Sequence, residues 1–124
     1  MVAKEPIPIR VDADAHGERL DSVFFALADP VRRAILGRLD DGPLLVSEIA
    51  APFEISLQAV SRHIQVLVRA GLVRQARSGR ISRCSLDAEP LSEAAAWLNH
   101  YARYWQAQFD TLSKHLIAIE KERS

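Results

Sequence analysis

SLQAVSRHIQVLVRAGLVRQARSGR, residues 56–80, is the stretch that decides the fold. Ser56 offers a hydroxyl that caps a helix N-terminus, and Gly71 stands where helices commonly close in a left-handed conformation. The spacing therefore predicts a helix from Ser56 to Ala70. At helical periodicity Leu57, Val60, Ile64, Leu67 and Val68 share one arc and are expected to pack on the core. Gln58, Ser61, Arg62, Gln65 and Arg69 share a separate arc, with Ala59, His63 and Val66 on its flank. Behind the helix come two short segments, Leu72 to Arg77 and Arg80 to Leu86, separated by Ser78-Gly79, which reads as a β-hairpin.

Upstream, Ser47 is placed to cap a short helix through Ala51. It is preceded by a brief apolar run, Leu44 to Val46, with the character of a strand, and Pro52 ends it. A short helix, a turn and a capped longer helix form a helix-turn-helix. Before them, Asp29-Pro30 is a matched start signal, and Val31, Ile35, Leu36 and Leu39 give that helix a buried stripe up to Asp41-Gly42-Pro43. Leu20, Val23, Phe24 and Leu27 give the first helix its apolar face from about Gly17. Residues 1–16 show no helical period and are expected to be a mobile arm without assigned function. Residues 17–124 are expected to form one domain.

The chain has 124 residues, enough for one core. Its single cysteine, Cys84, cannot form an intrachain disulfide, and the N-terminal residues lack the apolar run of a secretory signal, so a cytoplasmic location is expected. No stretch is apolar enough to cross a membrane. Net charge is zero, but the charges are segregated. From Ile55 to Leu86 there is no Asp or Glu, while Arg62, Arg69, Arg74, Arg77, Arg80 and Arg83 all lie inside, giving +6 against a background of −6. Such segregation suits a surface that meets phosphate, although a solvated basic face is also compatible.

The polar arc of the 56–70 helix has groove-reading chemistry. Arg62 can bond guanine O6 and N7, and Gln58 can bond adenine N6 and N7, while Ser61 suits a phosphate. An ordinary solvent-facing helix uses the same residue types, so the order of elements carries the reading. Two helices, a short helix, a capped polar-faced helix and an arginine-rich hairpin describe a winged helix-turn-helix. The segments FALADPVRRAIL (25–36), SLQAVSRHIQVL (56–67) and AGLVRQARSGR (70–80) resemble the ArsR/SmtB family of bacterial transcriptional repressors. The resemblance spans about residues 20–116. It implies a mainly α fold with a small β-hairpin, and a homodimer on an inverted-repeat operator in double-stranded DNA, often its own promoter. It also implies that Gln58, Ser61, Arg62 and His63 face the major groove, with Arg77 and Arg80 on the wing. Ser56, Gln65 and Arg69 complete the expected DNA-facing set.

From Leu91 onward there is no Gly or Pro, and apolar residues recur at steps of three and four, so one long helix to about Ile119 is expected, roughly 43 Å long. Its stripe of Leu98, Tyr101, Trp105, Phe109, Leu112 and Leu116 carries too much apolar surface to leave in water. With Leu20, Phe24 and Leu27 it is expected to form the dimer interface.

Relatives of this type often sense metals, but this chain lacks cysteine pairs, and His100 and His115 lack companion ligands, so no metal is expected. Cys84 reads either as a packed strand residue or as a thiol with basic neighbours open to oxidation. No catalytic or cofactor-binding motif is present, which argues against an enzyme and implies no cofactor. A winged-helix module that binds only protein would be marked by loss of the basic face, which this chain retains. The effector remains open.

Overall fold

The computed structural model describes residues 6–11 and 14–123. The rest of the expected arm, residues 1–5 and 12–13, lies outside the described residues. Helix α1 (Ala15–Leu27) starts two residues before the expected Gly17, so Ala15 and His16 are helical. Its cap is Asp14, whose carboxylate accepts the Gly17 N–H at 2.6 Å. After α2 (Pro30–Leu39) come β1 (Leu44–Leu45), α3 (Val46–Ala50), α4 (Leu57–Arg69), β2 (Val73–Ser78) and β3 (Ile81–Leu86). The chain then forms α5 (Glu89–Asn99), a 3-10 turn (Ala102–Tyr104) and α6 (Gln106–Arg123).

The junction between α1 and α2 shows why LADPVRR belongs together. In a continuing helix the carbonyl of Ala26 would receive the N–H of residue 30, but Pro30 has none. Arg32 replaces it: Nε donates to Ala26 O and a second guanidinium nitrogen donates to Phe25 O, both at 2.7 Å. Arg33 donates to Leu27 O at 2.7 Å, because the Val31 N–H that would reach it is taken by the Asp29 carboxylate at 2.8 Å. Asp29 therefore caps the start of α2 while two arginines of α2 cap the end of α1. Arg32 is buried and stacks over the Phe25 ring at 5.1 Å.

The α3 start differs from expectation. Leu45, not Ser47, precedes its first turn, and Glu48 reaches back to accept the Leu45 N–H at 2.8 Å. Helix α4 begins and ends as the sequence predicts. Ser56 Oγ accepts the Ala59 N–H at 3.1 Å, and Gly71 closes the helix at φ +77°. The paired bonds Leu72 N–H to Leu67 O and Gly71 N–H to Val68 O form a Schellman motif. Leu57 is a correction: it sits in the first turn beyond the edge of the core and is 54% exposed, although Val60, Ile64 and Leu67 are buried.

The three strands are antiparallel in the order β1-β3-β2, with Leu44 opposite Cys84 and Gln75 opposite Cys84 on the other side. Ser78 pairs with Ile81, so the hairpin loop is Gly79-Arg80, one residue later than the sequence frame. Gly79 has φ +62°, which suits the first loop position of a type II′ turn and places Arg80 at the tip. The core gathers Val23, Ile35, Ile49, Val60, Ile64, Leu67, Leu72 and Cys84 from four helices and the base of the sheet.

The long C-terminal helix is not continuous. After Asn99, a poor helix former, successive i to i+3 bonds, from His100 N–H to Trp97 O through Trp105 N–H to Ala102 O, tighten the chain into the 3-10 turn. Among the described residues Ala94 is the last that is buried, and beyond the contact of Trp97 with Phe24 the helix has little of the protomer to pack on. The rings gather instead, Trp97 with Tyr101 at 5.4 Å and Tyr101 with Tyr104 at 6.4 Å.

Candidate nucleic-acid interface

Helix α4 buries one face and leaves Gln58, Arg62, Gln65 and Arg69 exposed on another, with Ser61 half-buried. Ser56 is engaged as the cap. Arg62, Arg77 and Arg80 make no hydrogen bond or ion pair within the described residues, so their guanidinium groups are available to a ligand. Arg69, in the last turn, lines a groove with Arg19, Asp87, Glu89 and Glu93, away from the N-terminal turns of α4. Arg74 is tied to Asp87, at 3.0 and 3.1 Å, which removes it from the basic surface. Bonding from the Glu89 N–H, opposed by burial and aided by Arg74, holds the Asp87 carboxyl below its ordinary value.

His63 points inward. Its Nδ1 lies 3.3 Å from the Arg32 guanidinium and 3.9 Å from the Asp29 carboxylate. The structure thus joins His63 to the α1–α2 lock rather than leaving it beside Gln58 and Arg62. Asp29 itself is held below the ordinary carboxylate range. Burial pushes it up, but the N–H groups of Arg32 and Val31 and the charges of His63 and Arg32 outweigh that.

Strand alternation divides the wing into two faces. Val73, Gln75 and Arg77 on β2 share the helix-facing side with Ser82, Cys84 and Leu86 on β3, and this side passes from apolar at the base to charged towards the tip. Gln65 Nε2–H donates to Gln75 Oε1 at 2.9 Å, and Gln75 Nε2–H donates to Ser82 Oγ at 2.6 Å. The sequence reading missed Gln75 and Ser82, although strand alternation in the expected hairpin, with Ser78-Gly79 as its loop, already set these two polar residues on one face and was the signal that could have found them.

Cys84 is fully buried, and burial pushes its thiol up, so it is a packed strand residue with its proton retained. Among the described residues no three His, Cys, Asp or Glu side chains converge as a metal-binding group. Among the described residues no helix is long and apolar enough to cross a membrane.

The expected dimer residues fall into two groups. Leu20, Phe24 and Leu27 are half-buried against the protomer's own core, and Phe24 meets Trp97 of α5 edge to face at 5.9 Å. Trp105 is half-buried, whereas Leu98, Tyr101, Phe109, Leu112 and Leu116 are exposed.

Comparison with known proteins agrees with this architecture. Residues 27–76 match a helix-turn-helix domain family. The chain is 32% identical to the transcriptional repressor SdpR of Bacillus subtilis over 82 residues, covering 66% of this chain and 91% of that protein. It superposes on the crystal structure of an ArsR family transcriptional regulator with TM-score 0.67 and 43% identity, covering 72% of this chain and 92% of the other. A homodimeric winged helix-turn-helix DNA-binding domain from Mycobacterium bovis matches with TM-score 0.55 and 25% identity, over 72% of this chain and 84% of that one. The lock at LADPVRR, the capped helix α4 and the Gly79 wing are accounted for together: the chain belongs to the ArsR/SmtB family of winged helix-turn-helix transcriptional regulators.

Proposed function

We propose that the protein is a sequence-specific repressor that binds an inverted-repeat operator as a homodimer, with α4 in the major groove and the β2–β3 wing on the phosphate backbone. The observation that carries this reading is the set of arginines without a partner among the described residues, Arg62 on the exposed face of α4 and Arg77 and Arg80 on the wing, beside Gln58. A guanidinium without an intramolecular partner is ready for a guanine edge or a phosphate without first breaking a bond. The homodimeric neighbour and the exposed apolar residues of α5 and α6 support the assembly. Working on DNA places the protein in the cytoplasm, and regulation, not catalysis, is its task.

Salt dependence tests the phosphate part. Each wing arginine on a phosphate releases counterions, so log affinity for a duplex is expected to fall steeply with log salt. Arg77→Ala or Arg80→Ala should weaken all sequences alike and flatten that slope by about 1 per half-site. Affinity that does not respond to salt, or a slope unchanged in both variants, would remove the wing from the interface.

A further inference from the structure

We propose that Gln65 is a positioning residue and not a base reader: with Gln75 and Ser82 it forms a side-chain strut that fixes the wing against α4, leaving base recognition to Gln58 and Arg62. The proposal rests on the reading of α4 and the wing as the DNA-contacting surface.

The wing needs such support. Strand β1 braces β3 only at Cys84 and Arg83, so beyond Arg83 the hairpin is a two-stranded ribbon. An isolated two-stranded hairpin is marginal in water, and the six residues of β2 extend roughly 20 Å from the Schellman turn at Gly71. Gln75 and Ser82 lie diagonally across the hairpin at the point where the third strand ends. Their bond at 2.6 Å ties the two strands together, and the bond from Gln65 at 2.9 Å ties both to the helix. Arg77, the next residue outward on the same face, inherits its position from this strut.

The chemistry of the amide argues the same way. Reading adenine in bidentate fashion requires a glutamine to present both its carbonyl oxygen and its NH2 to one base. Gln65 gives one N–H of its amide to Gln75, which turns the amide plane towards the wing, and the half-buried Gln75 amide would lose a partner if Gln65 turned outward to face a base. Gln58 has no such commitment within the described residues.

The test uses the full-length protein with Gln65→Ala, Gln75→Ala, their double variant, Ser82→Ala and Ser82→Thr. On the free protein, backbone 15N order parameters at Gly79 and Arg80 are expected to drop in the three alanine singles and to stay at the wild-type level in Ser82→Thr. On duplex DNA, Gln65→Ala and Gln75→Ala should each lose roughly three- to tenfold in affinity. The slope of log affinity against log salt should flatten by about 1 although no charge was removed. The order of base preference should be unchanged, and the double variant should be no worse than either single within about twofold, since one strut is broken only once. Altered preference at one base pair per half-site in Gln65→Ala, with Gln75→Ala like wild type, would overturn the proposal and make Gln65 a base reader. Wing order parameters unchanged in Gln65→Ala and Gln75→Ala would overturn it too. Because the relaxation measurement needs no DNA, a wild-type protein that binds no duplex would refute the functional reading while leaving the strut itself decided.

Discussion

Arg32→Ala is expected to destabilise the protein by about 3 kcal/mol, the largest loss of any single polar side chain here. The substitution strips Ala26 O of the donor that stands in for the missing N–H of Pro30, and leaves the Phe25 carbonyl with only the Ala28 N–H at 3.2 Å. A buried carbonyl left without a partner costs roughly 1–3 kcal/mol, and the bond to Phe25 O and the stacking on the Phe25 ring are lost as well. Arg32→Lys should recover only part of this, because an ammonium cannot span two carbonyls as a planar fork does. Chemical denaturation of the three proteins at neutral pH measures the effect, and a loss below about 1 kcal/mol in Arg32→Ala would show that the lock is dispensable. A pH series adds a sign. Asp29 has a depressed pKa, so its contribution to stability is present above its unfolded value of 3.8 and is lost as pH falls through the lower folded value. Removing Arg32 takes away one of the charges that depress it, so in Arg32→Ala the acid-side loss still begins at the unfolded value but should be smaller and complete at higher pH.

Dimer disruption is expected to have the largest effect on DNA binding. Leu98 and Leu112 are 43% and 52% exposed in the protomer, on α5 and α6 respectively, so changing both to Glu should leave the protomer folded, with its circular dichroism spectrum nearly unchanged. Two buried carboxylates without partners would prevent association across the same face. A monomer meets one half-site at a time and loses the effective concentration that links the second, so operator affinity should fall by about 100-fold or more. Sedimentation at micromolar concentration should give a dimer for the wild type and a monomer for the double variant. A wild-type monomer would contradict the dimer itself, and a double variant that still dimerises would move the interface elsewhere.

What was legible in the sequence was local. Asp29-Pro30, Ser56 and Gly71 each satisfy helix-end groups within three or four residues, and all three act as the residue types imply. Gly79 marked the hairpin but not its frame, because the positive φ belongs to the first loop position and Ser78 remains free to pair. Periodicity placed Leu57 on the buried arc, yet it cannot say where along the helix the core ends. The break after Asn99 was hidden for a related reason: no Gly or Pro marks it, and it follows where packing on the protomer thins out beyond the Trp97 contact with Phe24. Residues whose roles depend on distant partners were the least legible. Arg32 and His63 meet across 31 positions, and Gln65 reaches Gln75 only once the hairpin has folded back on α4.

Selection of bound sites from a random duplex library by the wild-type protein tests the central claim most directly. The proposed dimer, with one α4 in each of two successive major grooves, predicts convergence on an inverted repeat whose half-sites are centred about one helical turn apart. The same selection with Arg62→Ala should lose preference at one base pair in each half-site, a discrimination worth roughly 1–3 kcal/mol. No enrichment, or enrichment of a single asymmetric site unchanged by Arg62→Ala, would contradict the assignment of α4 as the helix that reads DNA.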